Sequence, residues 1–230
     1  MKIAIITGAS KGIGYFLSEK LLSKNFKVIN ISRNKSDIKE VINYEFDLLN
    51  YLEIHSLVKE IIKNYGGPQL LVNNAGIASM NHTLLMKDTK IADIVNLNLI
   101  SPIILTKEFS KFMIKKKGKI LNISSVAVPL LLEGEAVYAS SKSGLETFSK
   151  ILSKELEKIQ VEVACLGLTP IDTDLIKNVP EEKIRKIIEA QPLKKQYTKM
   201  DVWKFLESFL GDEANKFNGT VNYLGGFSDK

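Results

Sequence analysis

The chain has 230 residues, 45% of them hydrophobic and 25% charged, which suits one soluble globular domain with a full core and leaves no room for two comfortable ones. Repeats and low-complexity tracts are absent, the apolar opening breaks at Thr7-Gly8 too early for a secretory h-region, and no consecutive apolar run is long enough for a bilayer, so no membrane role is expected. The formal charge of +6 would admit nucleic acid, an acidic partner or a phosphorylated ligand, but its densest cluster, Lys115-Lys116-Lys117 with Lys119, reads as a solvated helix end without any nucleic-acid motif.

Short β-branched runs alternate with longer amphipathic stretches, the pattern of βαβ units on a parallel sheet. Strands are predicted over residues 2–7, 27–32, 41–46, 70–73, 119–124, 161–168 and 220–224. Helices are predicted over 13–24, 52–65, 89–114, 136–159 and 201–210, the fourth with a core face at Leu145, Phe148, Leu152 and Leu156. Gly66-Gly67-Pro68 and Lys117-Gly118 break helices ahead of strands. So few residues separate the second and third strands that their crossover helix must shrink to a turn or two. The expected architecture is one doubly wound, Rossmann-type α/β domain, with a ligand crevice at the carboxyl ends of the strands. Cys165, the single cysteine, lies in a strand as a buried hydrophobe and fits a reducing, cytoplasmic setting.

Between the first strand and helix lies Thr7-Gly8-Ala9-Ser10-Lys11-Gly12-Ile13-Gly14. Three glycines let the backbone turn sharply and approach a pyrophosphate, held by the free N–H groups of a helix N-terminus. After the second strand comes Ser32-Arg33-Asn34, with no carboxylate before Asp37. An acid there would bind the ribose hydroxyls of NAD, whereas Arg suits a 2′-phosphate. Arg33, seconded by Lys11, therefore favours NADP(H) over NAD(H), and the missing acid also counts against S-adenosylmethionine.

With Tyr138-Ala-Ser-Ser-Lys142 added, the chain resembles the short-chain dehydrogenase/reductase family from Lys2 to Gly226. Thr7-Gly8 to Gly14 matches the family's T-G-x-x-x-G-I-G, and Asn73-Asn74-Ala75-Gly76 its N-N-A-G. Asp47, followed by Leu48, matches an acid that touches adenine, Asn98 the catalytic asparagine, and Ser125 the serine ahead of the tyrosine. Gly219-Thr220 and Gly225-Gly226 resemble the family's C-terminal ending. The resemblance implies cofactor contacts from Gly8, Ser10, Lys11, Gly12, Ile13, Gly14, Arg33, Asp47, Leu48, Asn74, Ala75, Gly76, Tyr138, Lys142, Ile171 and Thr173. One departure stands out: Leu168-Thr169-Pro170 replaces the usual Pro-Gly after the sixth strand, before Ile171-Asp172-Thr173-Asp174 resumes the pattern.

Tyr138 and Lys142 are four apart on one helix, so both side chains reach the same side. An ammonium beside a phenol is expected to stabilise phenolate and lower its pKa. The resemblance implies that Tyr138 exchanges a proton with the substrate, Ser125 hydrogen-bonds the substrate oxygen, and Lys142 holds the nicotinamide ribose. It also implies that Asn98 holds a water leading to solvent. The stretch 175–195 would form a mobile lid, with a surface helical pair as the alternative, and Met80, Leu130, Leu131 and Leu132 are candidates for an apolar substrate wall. His55 and His82 lack partners at metal spacing, and no metal is expected. The activity so implied is reduction of a ketone or 3-oxoacyl thioester. Alternatives are reduction of a sugar, pterin or other small carbonyl, and a non-catalytic NADP-binding sensor, disfavoured because Asn98, Ser125, Tyr138 and Lys142 are all present. Family resemblance further implies a homotetramer or homodimer.

Overall fold

Consecutive residues of the first strand, β1 (Lys2–Thr7), point to opposite faces, and both faces are buried. In the computed structural model, which describes residues 2–114, 117–177 and 179–227, Ile3 and Ile5 enter one core while Ala4 and Ile6 enter another. Such a strand requires helices above and below it. Seven parallel strands form one sheet in the order β3-β2-β1-β4-β5-β6-β7, completed by β2 (Phe26–Ser32), β3 (Ile42–Glu45), β4 (Leu70–Asn73), β5 (Lys119–Ser125), β6 (Glu162–Leu168) and β7 (Val221–Tyr223). Leu17 and Leu21 of α1 (Gly12–Ser23) pack on one face. Ile54, Leu57, Val58 and Ile61 of α2 (Ile54–Tyr65) pack on the other. The doubly wound, Rossmann-type expectation therefore holds, and the order reverses between β1 and β4.

The second crossover departs from expectation, because residues 33–41 contain no helical turn. Asparagine side chains replace the missing helix. Asn30, buried in β2, donates from Nδ2 to Asn43 Oδ1 at 2.9 Å. The same Asn43 oxygen accepts the Ser36 N–H at 2.8 Å, and Asn43 Nδ2 donates back to the Ser36 carbonyl at 3.1 Å. Ser32 Oγ donates to Asn34 O at 2.6 Å. A short connection needs its polar backbone satisfied locally, and these amides do that.

The third long helix is continuous but not uniform. It runs as α3 (Asp88–Val95), a π-helical turn (Asn96–Ile100) and α4 (Ser101–Ser110). Pro102 has no N–H to give the carbonyl one turn back, that of Asn98, and its ring would crowd that carbonyl. The wider turn relieves the conflict, with Ser101 N–H donating to Asn96 O. By length and composition Asp88–Ser110 is apolar enough to cross a bilayer, against the sequence reading; here α4 packs on α2 and α6 (Ala136–Leu156), with Leu105 and Phe109 in the core.

Along α6 the buried face is more polar than predicted. Leu145 and Leu152 are buried, Phe148 and Leu156 only partly, and Tyr138, Lys142, Glu146, Ser149 and Ser153 join the buried set. Ser149 accepts the Asn122 amide at 2.8 Å, and Asn122 in turn accepts from Asn73 at 2.7 Å, giving a hydrogen-bonded row across the sheet. One short helix, α5 (Ala127–Leu130), escaped the sequence reading, while α7 (Glu181–Glu189) lies in the stretch for which a surface helical pair is the alternative to a lid. The last, α8 (Lys199–Leu210), begins two residues early because Thr198 and Asp201 form a capping box. Within the basic cluster, Lys115 and Lys116 lie outside the described residues, while Lys119 pairs with Glu162.

If the asparagine network stands in for the helix, Asn43→Ala should lower unfolding free energy by about 2 kcal/mol, since it strands the Asn30 and Ser36 donors. Urea denaturation would measure it; a change within error would show that the loop holds without these bonds.

Candidate active site

The crevice forms where β1 and β4 part. Thr7 Oγ1 accepts the backbone N–H groups of Asn74 and Ala75 at 3.0 and 2.9 Å. Asn74 Nδ2 donates to the carbonyls of Thr7 and Gly8 at 2.9 and 3.3 Å. The glycine turn is thus clamped to the end of β4. On its other side, Asn30 Oδ1 accepts Ala9 N–H at 2.9 Å, an anchor that no motif pointed to. Gly8 has φ +70, and a side chain on Gly14 would stand 2.6 Å from the Gly8 carbonyl, so neither position takes another residue cheaply.

The helix behind this turn suits a pyrophosphate. Lys11 caps α1 without a side-chain bond, and the first turn carries no acid, so its N–H groups keep their affinity for an anion. Gly12 faces Thr173, whose methyl lies 3.7 Å from where a Cβ would be, and Ile171 and Ile13 line the cavity that opens here. Lys11 Nζ itself reaches across to Asp174, 2.9 Å away, rather than standing free beside Arg33. Arg33 is exposed beyond the end of β2. Asp47 uses one carboxylate oxygen on the Leu49 N–H at 3.0 Å, and Leu48 buries its side chain while its carbonyl accepts Ser101 Oγ at 2.5 Å.

The same cavity leads to the four residues singled out for chemistry, contributed by three elements. Ser125 ends β5, where its Oγ accepts the Ala127 N–H at 3.1 Å, and it lines the cavity together with Tyr138 of α6. The neighbouring Ser124 donates to Glu146 in the interior. Lys142 is 4% exposed and donates from Nζ to the Ile123 carbonyl at 2.8 Å. A side chain on Gly76 would come within 3.4 Å of that ammonium and 3.1 Å of Asn98 Oδ1, so glycine avoids crowding both. Asn98 sits in the π turn, fully buried; its side chain accepts Ile77 N–H and donates to Ile77 O, both at 2.9 Å, and reaches Ser141 Oγ at 3.2 Å.

Electrostatically the pair differs from the expectation. Tyr138 is not acidified: burial pushes its phenol up to about 12, with the Ser125 hydroxyl acting in the opposite direction. Burial likewise pushes the Lys142 ammonium down to about 8. The ammonium lies 5.9 Å from the Tyr138 ring centroid and spends a proton on Ile123 O, so desolvation prevails over its attraction for phenolate. Burial pushes the Cys165 thiol up too, in keeping with an inert hydrophobe.

Over the cavity lie Leu175, Ile176, Val179, Ile184 and Ile187, from the stretch read as a lid; Asn178 is outside the described residues. Met80 and Leu132 line the wall as anticipated, whereas Leu131 is 83% exposed with φ 52 and takes no part. His55 and His82 each pair with a glutamate, Glu108 and Glu133, and no metal-ligand cluster is found among the described residues.

The family model described as short chain dehydrogenase matches residues 2–184. The chain belongs to that family. As a short chain dehydrogenase it is an oxidoreductase of CH–OH and C=O groups, of a family that uses a nicotinamide cofactor. It is 30% identical over 98% of its length to 3-oxoacyl-acyl-carrier-protein reductase FabG of Salmonella typhimurium, covering 96% of that protein. Among solved structures, 4-hydroxyisoleucine dehydrogenase complexed with NADH superposes with a TM-score of 0.87 at 27% identity, with 98% of each chain covered. Aldohexose dehydrogenase of Thermoplasma acidophilum does so with a TM-score of 0.87 at 26% identity, over 97% of this chain and 92% of that one.

Three residues of this short chain dehydrogenase site were not foreseen: Asn30, Ser141 and Glu135, the last a buried acid on the cavity wall. Asn30 looked like one more polar residue in a strand, and only the sheet register turns it towards Ala9. The depressed Lys142 pKa also carries a stability consequence. A lysine whose folded pKa of about 8 lies below its ordinary 10.5 binds fewer protons folded than unfolded between those values, so folding stability rises with pH there. Against Lys142→Met, the native chain should therefore gain up to about 3 kcal/mol between pH 8 and 10.5, read from paired denaturation curves. Parallel curves would mean that the ammonium is better solvated than its burial implies.

Proposed function

We propose that this enzyme reduces a carbonyl with NADPH, Tyr138 giving the proton. The observation that carries the reading is that Ser125, Tyr138 and the buried Lys142 ammonium line one cavity. A nicotinamide cofactor, when bound, supplies or takes the hydride. Gly8, Ser10, Gly12, Ile13 and Gly14 would hold its pyrophosphate, Asp47 with Leu48 its adenine, and Asn74, Ala75 and Gly76 the ribose side of the cleft. Ile171 and Thr173 would meet the nicotinamide end, and Lys142 the nicotinamide ribose.

A phenol protonated through the neutral range is ready to donate as the carbonyl oxygen gains charge. Ser125 Oγ hydrogen-bonds the same oxygen and stabilises the developing alkoxide. The proton leaves Tyr138 Oη for the substrate oxygen, and the phenolate is then reprotonated through Lys142 and a water held near Asn98. The stretch 175–195 closes over the substrate as a lid and excludes water.

NADP(H) is favoured because Arg33 follows β2 where a ribose-binding acid would stand, and Arg33 forms no ion pair among the described residues. Lys11 serves the 2′-phosphate only after leaving Asp174. The second reading, NAD(H), draws on the NADH-bound dehydrogenase among the structural relatives. Reduction of a 3-oxoacyl thioester is the first substrate reading, supported by the FabG relative; the sugar reading draws on the aldohexose dehydrogenase. A homodimer or homotetramer through α4 and α6 fits the exposed Phe112 and Ile151 near and on these helices.

The test follows reduced-cofactor absorbance with NADPH or NADH and a carbonyl panel that includes a 3-oxoacyl thioester. Turnover with NADPH should fall by about 10²–10⁴ in Tyr138→Phe and by about 10²–10³ in Ser125→Ala. Tight cofactor binding without turnover on any carbonyl would favour the sensor reading. In Arg33→Ala, KM for NADPH should rise about tenfold, the value of one charge-assisted bond, while KM for NADH holds. With the Tyr138 pKa raised, alcohol oxidation should climb with pH above neutrality while ketone reduction does not. Equal pH profiles in the two directions would remove Tyr138 from the proton transfer.

A further inference from the structure

Glu135 occupies the N-cap position of α6 yet makes no capping bond with its side chain. It is only 6% exposed and lines the cavity beside Tyr138. Its Oε2 is buried and has no hydrogen-bond partner. The helix N-terminus tolerates its charge, but the wall around it, Met80, Leu132 and Ile184 among others, is apolar. A buried acceptor without a donor is destabilising, and something entering the cavity can relieve it. Burial pushes the carboxyl up to about 6, opposed by Lys183 on α7. Lys183 nonetheless stays exposed, with Nζ 3.4 Å from Met80 Sδ.

We propose that Glu135 determines specificity by accepting a hydrogen bond from a hydroxyl on the carbon next to the reacting carbonyl, so that, within the carbonyl-reducing reading, the substrate is a hydroxy ketone of the sugar-like class rather than a 3-oxoacyl thioester, or a vicinal diol in the reverse direction. This rests on the carbonyl-reducing reading of Tyr138 and Ser125. Glu135 stands three residues before Tyr138, close enough that its charge raises the phenol pKa. A carbonyl oxygen held by Tyr138 and Ser125 therefore presents its flanking carbon near that carboxylate. The donor is a neutral hydroxyl rather than an ammonium, because the cavity already holds the Lys142 cation and Lys183 opposes the same carboxylate. A plain aliphatic ketone would leave Oε2 unpaired, and sites built around a substrate hydroxyl discriminate strongly against analogues that lack it.

The experiment compares a linear alkyl methyl ketone with the same ketone hydroxylated on its methyl carbon, in the native enzyme, Glu135→Leu and Glu135→Gln, with melting temperatures recorded for each. Native kcat/KM should favour the hydroxylated ketone by at least about tenfold. Glu135→Leu should bring the ratio near unity or below. Glu135→Gln, nearly the same shape and with one acceptor kept, should lower it several-fold and carries the test if the leucine variant does not fold. Equal native efficiency on the two ketones, or a preference unmoved in both variants, overturns the inference and leaves the reductase reading standing. No turnover of either ketone by cofactor-bound native enzyme overturns that reading and this one with it.

Discussion

Much of the site follows from one constraint, the burial of the Lys142 ammonium. A cation removed from water needs acceptors for its N–H groups and space kept in front of it, or it loses its proton. Here the end of β5 offers the Ile123 carbonyl at 2.8 Å. Gly76, by lacking a side chain, leaves the space in front of the ammonium open. Glu146 lies one turn further along α6 with its carboxylate buried, accepting from Ser124 and from the Tyr223 hydroxyl at 2.7 Å, and its charge supports the ammonium. Both Ser124 and Ser125 line the cavity, but the Ser124 hydroxyl is thereby committed to Glu146. That commitment is what supports the proposed role of Ser125 over its neighbour.

A second organising fact is that asparagine amides hold the backbone wherever regular structure runs out. Asn74 fixes the glycine turn, Asn30 and Asn43 fix the shortened crossover, and Asn98 fixes the segment at Ile77. Asn43 at Ser36 and Asn98 at Ile77 each donate and accept at once, so one side chain satisfies both halves of a free peptide group. The π turn adds to this, since Pro102 bars the ordinary helical bond to the Asn98 carbonyl just where Asn98 must turn inwards.

The sheet and both helical layers were legible because strands buried on both faces read as unbroken apolar runs and α1, α2 and α8 keep helical spacing. The glycine turn and the Tyr138–Lys142 pair were legible because their chemistry demands those residue types at short range. What escaped were facts made by long-range register. Asn30 meets Ala9 only once β1 and β2 align, and Glu135 faces the cavity only once β5 and α6 pack. The polar face of α6 was misread because a serine that bonds its own helix, as Ser149 does to Leu145 O at 2.7 Å, can be buried as readily as a leucine. Lys11 was read as free because its partner Asp174 is distant in sequence.

The same desolvation that shapes the fold around Lys142 also orders the proton affinities, and in the reverse of the simple expectation. Ordinary tyrosine and lysine values lie close together, at 10.0 and 10.5; here burial separates them to about 12 and about 8. Lysine therefore surrenders its proton well before tyrosine, and the pair alone does not generate phenolate near neutrality. A protonated phenol is the resting state that the proposed reduction asks of Tyr138. Oxidation needs a further positive charge close to Tyr138, and an oxidised nicotinamide ring would carry one into the low-dielectric cavity, where a charge acts strongly. On this argument the base for oxidation exists only when cofactor occupies the cleft, and the apolar lining that raises the Tyr138 pKa is what keeps the empty site from acting as one.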